Sequence, residues 1–472
     1  MTEAGLADWP AARVADAVRS RAVPARAFVD ACLRRIDERN PALNAVISRC
    51  DAAARAAADA LDRALAAGAT EGGPLCGVPI TIKDMNATAG LRTTYGLPWY
   101  RRHLPDRDGA AVARLRAAGA IVLGKTNVPL AGYDWQTRHP TEGVTRHPAD
   151  PSRTCGGSSG GAAVAVATGM AALELGADLA GSIRVPAHFC GVFGLKTSDG
   201  AIPLDGHGPP ESRVEHLCVL GPIARDLGDL RLAFDVLTAS SAPPRAAPTR
   251  LRIAWTDALC GLRADAATRA VLAQVVGRLE AMGHEVERAV PPGWDSFEPL
   301  ALWAGVDGFE FRQSWPRPFR TALGRQLFRL GPVGLAVGPS RFSRAIARAM
   351  AGGRRNYERA LEQRAEHATA AAAWLASRDL LLAPCAATAA FHHRRLRRPI
   401  EVDGTRIPYS LAQSAFCCPV NVAGACALVT PAGRTADGLP IGLQWIAAPH
   451  RDHQLIERVE IVATVPGTVA TI

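Results

Sequence analysis

Two serines set among small residues, and three scarce lysines, are the side chains of this sequence best placed to do chemistry. Ser158 lies in Cys155-Gly-Gly-Ser-Ser-Gly-Gly161 and Ser182 in Asp178-Leu-Ala-Gly-Ser-Ile-Arg184. Small flanks let backbone N–H groups approach a reacting atom, which suits a nucleophile with its oxyanion site better than a packed core. A serine needs a base, and the lysines supply a candidate. Of 54 lysines and arginines only Lys83, Lys125 and Lys196 are lysine. A guanidinium stays protonated, whereas a desolvated lysine can lose its proton and act as a base. Lys83 closes the apolar, β-prone run Gly77-Val-Pro-Ile-Thr-Ile-Lys-Asp84, which would desolvate its amine. The plainer alternative is a lysine salt-bridged to Asp84.

Two short patterns compete for these residues. Gly119-Ala-Ile-Val-Leu-Gly-Lys-Thr126 formally fits the phosphate-binding loop GxxxxGK[ST]. Its interior is strand sequence, however, and Asn127-Val-Pro129 breaks the helix that should follow. Lys125 is therefore expected to be structural. Gly156-Gly-Ser-Ser-Gly160 formally fits the nucleophile elbow GxSxG, which would make Ser158 the nucleophile. An elbow needs an apolar strand directly before it, and Pro148-Ala-Asp-Pro-Ser-Arg-Thr-Cys155 is a proline-broken polar loop. His450 and His453 are the formal histidine partners of that weaker reading.

The elements that must position these residues read as alternating α and β. Ala25 to Asn40 places Phe28, Ala31, Cys32 and Ile36 on one helix face, and Ala52 to Ala67 is an alanine-rich helix. Strands are expected at Val78–Ile82 and Ala120–Leu123, separated by a helix at Ala110–Ala118 with Val112, Leu115 and Ala118 facing inward. A helix at Ser159–Met170 and a strand at Ala171–Leu175 follow. Ser182 then falls on a turn before a short helix at Ile183–Phe189. Ser240 to Pro248 is a linker by composition. Beyond it the pattern restarts with a strand (Arg252–Trp255), a helix (Ala264–Met282) and a strand (His284–Val290). Phe297 to Trp374 is helical and rich in aromatics (Trp303, Phe309, Phe311, Trp315, Phe319, Phe328), a composition that suits an apolar pocket wall or ordinary helix packing. Further strands are expected at Asp379–Pro384, Ala425–Thr430 and Leu439–Ile446. The alternation argues for a layered α/β fold.

Composition narrows the classes. The 472 residues are 48% hydrophobic and 21% charged, an ordinary globular balance. No apolar run is long enough to span a bilayer, and the N-terminus has neither the basic start nor the apolar core of a signal peptide, so the cytoplasm is the default. Eleven cysteines, an odd number with no CxxC pair, suit reduced thiols better than a disulfide framework or zinc site. A net charge of +10 invites nucleic acid. Arginine is nevertheless spread along the chain, and its one dense run, His392 to Arg398, has no interleaved aromatics and reads as a solvated loop.

Joined into one site, Lys83, Ser158 and Ser182 resemble the amidase signature family. Gly77–Asp84, Gly119–Asn127, Gly156–Gly161, Gly181-Ser-Ile-Arg-Val-Pro-Ala187 and Gly191-Val-Phe-Gly-Leu-Lys196 occur in that family's order and spacing. Gly221-Pro-Ile-Ala-Arg225 and Gly438-Leu-Pro-Ile-Gly-Leu-Gln444 also look like its landmarks. The resemblance implies a single α/β layered domain over residues 1–472, with a central mixed, twisted sheet covered by helices on both faces. Residues 1–70 would be an N-terminal helical segment, and 296–376 a helical insertion lining the substrate site.

It further implies cleavage of a carboxamide C–N bond to an acid and ammonia or an amine, with no metal or organic cofactor. Lys83 would be the general base, Ser158 a proton relay usually held by a cis peptide bond, and Ser182 the acylated nucleophile. The backbone N–H groups of Leu179, Ala180, Gly181 and Ser182 would hold the oxyanion, each well-placed donor being worth about 3–4 kcal/mol. Gln136 and Thr137 resemble a family segment near the substrate mouth. Asp178 and Arg184, bracketing Ser182, read as a structural pair fixing the turn, against the alternative of a simple surface ion pair. His188 and Cys190 read as packed residues.

The chain departs from the family at Ala177 and Ala180, the latter standing where glycine is usual. An alanine at 180 in left-handed backbone would cost on the order of 1 kcal/mol. His139 and His147 stand where asparagines are common, and Thr197 replaces the more usual proline after Lys196. The expected partner is a small-molecule amide, without nucleic acid or membrane, and a homodimer is compatible with this reading. Two rival readings are the glutamine-hydrolysing subunit of a tRNA-dependent amidotransferase and a catalytically impaired paralogue. Pro203-Leu-Asp-Gly-His-Gly-Pro-Pro210 looks more like the stand-alone amidases than like the amidotransferase component.

Overall fold

Eleven strands hydrogen-bond into one mixed sheet that carries the chemistry-bearing segments at its centre. In chain order they are β1 (Val46–Arg49), β2 (Pro79–Lys83), β3 (Ile121–Thr126), β4 (Leu173–Asp178), β5 (Phe193–Lys196), β6 (Val219–Ala224), β7 (Arg252–Trp255), β8 (Glu285–Arg288), β9 (Leu380–Pro384), β10 (Cys426–Arg434) and β11 (Pro440–Ala447). Across the sheet they run β1-β3-β2-β4-β6-β5-β10-β11-β9-β7-β8. The computed structural model describes residues 3–68, 72–241, 250–314, 340–394 and 398–463. Most of the expected linker at 240–248, the aromatics Trp315, Phe319 and Phe328, and the middle of the arginine run at 392–398 lie outside the described residues.

The expected β-α-β order is present. β2 and β3 pair in parallel on either side of the Ala110–Ala117 helix, and β4 joins β2 in parallel on the other edge. Every residue of β2, β3 and β4 is buried, so these strands lack the in-and-out alternation of a half-exposed strand, and the charged groups they carry, Lys83, Lys125, Glu174 and Asp178, are buried with them. The helix before β4 is shorter than expected, Gly160–Ala167, because Thr168 caps it and Gly169 turns left-handed at φ 72°. It is composed of Gly, Ala and Val and is almost wholly buried. A Cβ on Gly161 would sit 2.4 Å from the Asn127 nitrogen, so only glycine lets this helix approach the end of β3.

The sequence reading missed β1, β5, β6 and the Tyr409–Val422 helix. The three strands are short and, at β5 and β6, buried throughout, and periodicity cannot tell a short apolar strand from other buried segments. Downstream, the helices Glu298–Gln313, Arg341–Ala351 and Arg354–Ala376 account for the described part of the aromatic stretch.

The landmark at Gly221 has a steric explanation. Its strand β6 crosses β5 so closely that a Cβ there would lie 1.9 Å from the Leu195 carbonyl oxygen. Gly221→Ala is accordingly expected to cost roughly 1–3 kcal/mol as the central strands are forced apart. A fall in the urea midpoint without a change in slope would show this, and an unchanged midpoint would contradict the close packing.

Candidate active site

Three consecutive features of the sheet bring the expected residues together. Lys83 ends β2, Ser158 lies in the loop that enters the Gly160–Ala167 helix, and Ser182 occupies the turn between β4 and the Arg184–Cys190 helix. The Gly157–Ser158 peptide is cis. Lys83 Nζ hydrogen-bonds Ser158 Oγ at 2.8 Å, Ser159 Oγ at 2.8 Å and the Ala177 carbonyl oxygen at 3.3 Å. The two serine segments are tied to each other by the Ser159 N–H, which donates to the Ser182 carbonyl at 3.0 Å. Lys83, Ser158 and Ser182 all line one chamber, together with Met85, Trp99 and His207.

The amine of Lys83 is dry. It is 2% exposed, and burial lowers its pKa from 10.5 to about 8, only partly opposed by Cys218, Asp178 and Glu174. The salt bridge to Asp84 considered from sequence is not formed; Asp84 accepts instead from the backbone N–H and hydroxyl of Thr94. Nor does Glu174 serve as a counterion. Burial pushes its carboxyl up to about 8 despite hydrogen bonds from Thr81 and Thr126. Ser159 fixes the proton order around the amine. Its hydroxyl donates to the Ala177 carbonyl at 3.2 Å, which leaves its oxygen to accept from Lys83. A neutral amine that spends its two N–H groups on Ser159 and Ala177 turns its lone pair to Ser158.

The turn bearing Ser182 is built on a buried ion pair. Asp178 and Arg184 are both fully buried, 2.9 Å apart, so the surface-pair alternative is corrected. Burial opposes the charge on Asp178, but Arg184 holds its carboxyl well below the usual range. Asp178 also accepts the N–H groups of Gly181 at 2.9 Å, Ile183 at 3.1 Å and Arg184 at 3.3 Å. Arg184 in turn reaches Gln444 at 3.0 Å, the Cys417 carbonyl at 3.1 Å and Asn421 at 2.5 Å. Gln444 is the end of a landmark whose role the sequence left open, and Asn421 belongs to a helix the sequence reading missed.

Two indoles fix the backbone before Ser182. Trp303 Nε1 donates to the Leu179 carbonyl at 2.8 Å and Trp135 Nε1 to the Ala180 carbonyl at 3.3 Å. In a trans peptide the N–H points opposite its carbonyl. The Ala180 N–H therefore faces away from Trp303, and the Gly181 N–H faces away from Trp135 toward Asp178. Among the described residues the N–H groups of Leu179, Ala180 and Ser182 donate to no protein group, while that of Gly181 is engaged. The left-handed residue of this turn is Gly181, at φ 102°, and not Ala180. The strain anticipated for alanine at 180 is thus absent, since the positive φ falls one residue later, where a Cβ would meet Cys417 Sγ at 2.5 Å.

Other sequence candidates are placed away from the chambers. Gln136 clamps the Arg394 backbone, donating at 3.0 Å and accepting at 2.7 Å, and the Thr137 hydroxyl donates to the Gly156 carbonyl at 2.9 Å. Thr137 thereby braces the loop carrying the cis peptide, Gln136 holds the segment at Arg394, and neither lines the chambers at Ser182. Lys125 is buried against the Asn86 carbonyl and Thr88, consistent with a structural lysine. Lys196 donates to the carbonyls of Thr197 and Ala425. His139 and His147 are buried and hydrogen-bonded to Thr94 and the Phe189 carbonyl, and His188 and Cys190 are packed as read. His453 pairs with Asp235 at 2.8 Å and lines neither chamber. Among the described residues no group of three or more His, Cys, Asp or Glu side chains converges on a metal position.

A family model described as Amidase matches residues 27–456. The chain belongs to the amidase family. An acylamidase of Rhodococcus erythropolis is 31% identical over 97% of this chain and 95% of its own length. A component of the glutamyl-tRNA(Gln) amidotransferase from Symbiobacterium thermophilum is 30% identical over 91% of both. A solved structure from a vestigial protein complex, described as revealing the origins of an s-triazine catabolic enzyme, superposes with a TM-score of 0.82 at 29% identity, covering 98% of this chain and 100% of that one. The amidase signature resemblance and the single α/β domain with its mixed sheet therefore hold, and the protein is an amidase that hydrolyses amide C–N bonds. Among the described residues no helix is long and apolar enough to cross a membrane.

The turn of this amidase has a direct test. Arg184→Met would leave the Asp178 carboxylate buried without its cation, a loss of about 3–5 kcal/mol. Chemical denaturation should show a destabilisation of that size, and a change below about 1 kcal/mol would contradict the ion pair as the foundation of the turn.

Proposed function

We propose that this amidase works through an acyl-serine, with Ser182 as nucleophile, Ser158 as relay and Lys83 as base. The observation that carries the reading is the 2.8 Å hydrogen bond between a desolvated Lys83 amine and Ser158, in a chamber that Ser182 also lines. An amide is a poor electrophile, so the attacking hydroxyl must lose its proton as it adds and the departing nitrogen must gain one. Ser158 takes the Ser182 proton as it passes its own to the neutral amine of Lys83. The same path in reverse protonates the nitrogen when the C–N bond breaks. Water then repeats the cycle on the acyl-serine, releasing the acid. The N–H groups of Leu179, Ala180 and Ser182 supply the oxyanion site, with Gly181 sharing its N–H with Asp178. Each well-placed donor is worth about 3–4 kcal/mol.

The two chambers that meet at Ser182 orient the substrate. Lys83 and Ser158 line only the first, so the nitrogen that takes their proton lies there. The acyl group extends into the second, past Leu179 and Ala180, against Trp135, Trp303, Phe311 and Phe342. That aromatic wall suits a bulky acyl group better than the slender side chain of glutamine, which favours a stand-alone amidase over a glutaminase component of an assembly. The expected outcome is ammonia release from a bulky aryl amide but not from glutamine. The eleven cysteines are all free thiols, nine of them buried, as suits the reducing cytoplasm.

The pH profile follows from the sign of the Lys83 shift. Its pKa is lowered to about 8, so the amine is free base above that value and protonated below it. The value of kcat/KM should rise tenfold per pH unit up to about pH 8 and then level. Lys83→Ala and Ser182→Ala should each lose at least ~10⁴-fold in kcat, and the Lys83→Ala residue of activity should no longer follow the acid limb. A flat wild-type profile from pH 5 to 9 would rule out the lysine base.

A further inference from the structure

The second chamber holds a buried carboxyl that the amide chemistry leaves unused. Asp307 stands on the Glu298–Gln313 helix, four residues after Trp303 and four before Phe311, so the three share one helix face. It is 1% exposed and lines the chamber that ends at Ser182. Its Oδ1 accepts the Tyr133 hydroxyl, and its Oδ2 accepts no hydrogen bond from the described residues. Glu310, one turn on, differs: His216, Tyr357 and the N–H groups of Glu215 and His216 occupy it. A second carboxylate, Asp134, sits in the same chamber wall and accepts the Tyr409 hydroxyl. The described residues lining this chamber include no lysine, arginine or histidine.

We propose that the second chamber selects acyl groups that carry a protonated amine, with Asp307 as its ion-pair partner and the aromatic side chains of Trp303 and Phe311 alongside. The proposal rests on the acyl group occupying this chamber, as argued above. A carboxylate and aromatic ring faces are the surroundings that attract an ammonium, and they act strongly where water is excluded. A wholly apolar acyl group would instead cover Oδ2 and leave it unpaired, an outcome that costs free energy. Protonation is consistent with this exchange. Burial pushes the Asp307 carboxyl up to about 8, against the Tyr133 hydrogen bond and with Glu310 adding to the rise. An alkylammonium, with a pKa of about 10, holds its proton more tightly than that carboxyl. On binding, the carboxyl proton leaves to water and the ammonium provides the positive charge.

Isothermal titration of the Ser182→Ala protein with 4-(aminomethyl)benzamide and with 4-ethylbenzamide tests this, because the two amides match in shape and differ in the ammonium. The amino compound should bind at least tenfold more tightly at pH 7. Adding Asp307→Asn, which keeps the shape, should bring the two within twofold by weakening the amino compound. Equal or tighter binding of the ethyl compound in the Ser182→Ala protein, or a tenfold preference that survives Asp307→Asn, would overturn the proposal. Ammonia released during the titration would report failure of the nucleophile assignment separately, since Ser182→Ala should turn over neither amide.

Discussion

A lysine amine kept out of water with no ionised carboxylate bonded to it is the condition the rest of this structure serves. An exposed Lys83 would stay protonated at neutral pH, and a salt-bridged one would do so even more firmly. The protein avoids both. β2 is buried along its whole length and delivers the amine to the interior. Asp84, next in sequence, is turned away onto Thr94, Glu174 is held by two threonines, and Asp178 is committed to Arg184. What remains around Nζ is two serine hydroxyls and one carbonyl, partners that orient a neutral amine without charging it.

The Asp178–Arg184 pair makes the second requirement compatible with the first. The Ser182 turn leaves free N–H groups, yet a turn with several free donors inside a protein is costly to maintain. Asp178 satisfies three N–H groups of the turn and Arg184 anchors it to β11 and the Tyr409–Val422 helix. Trp135 and Trp303 then take the two carbonyls. The N–H groups left over are those of Leu179, Ala180 and Ser182. One buried ion pair and two indoles thus divide the turn into groups that hold it and groups that remain for a ligand.

Much of this was readable before the fold was known. The rarity of lysine marked Lys83, and all three lysines prove to be buried. The polar lead-in to Ser158 argued against an elbow, and the structure places a loop there. The helix with Phe28 and Ile36 inward and the strand–helix–strand order of β2 and β3 followed from the residue pattern. What stayed hidden was long-range. Nothing near Ser182 in sequence announces Gln444, Asn421 or Trp303, which come from segments more than 100 residues away and meet it only through the sheet order. Gln136 and Thr137 show the opposite failure: resemblance to a family segment suggested substrate contact, whereas Gln136 bonds the Arg394 backbone and Thr137 the Gly156 carbonyl. At Ala180 the local rule about left-handed backbone was sound but applied one residue early, because backbone angles are set by Asp178 and the indoles and not by the residue type alone. Asp307 could be named only as part of an aromatic-rich helix, since its place in an aromatic-walled chamber depends on several segments packing together.

The most direct measurement is the site of covalent acylation. Treating the protein with a fluorophosphonate, then digesting it with a protease that cuts after Glu174 and mapping the adduct by mass spectrometry, separates the two serines, whose proposed roles differ. The account places the adduct on the peptide containing Ser182, at a rate that falls as the pH drops below about 8. An adduct on Ser158, or labelling of Ser182 that is indifferent to pH, would contradict it.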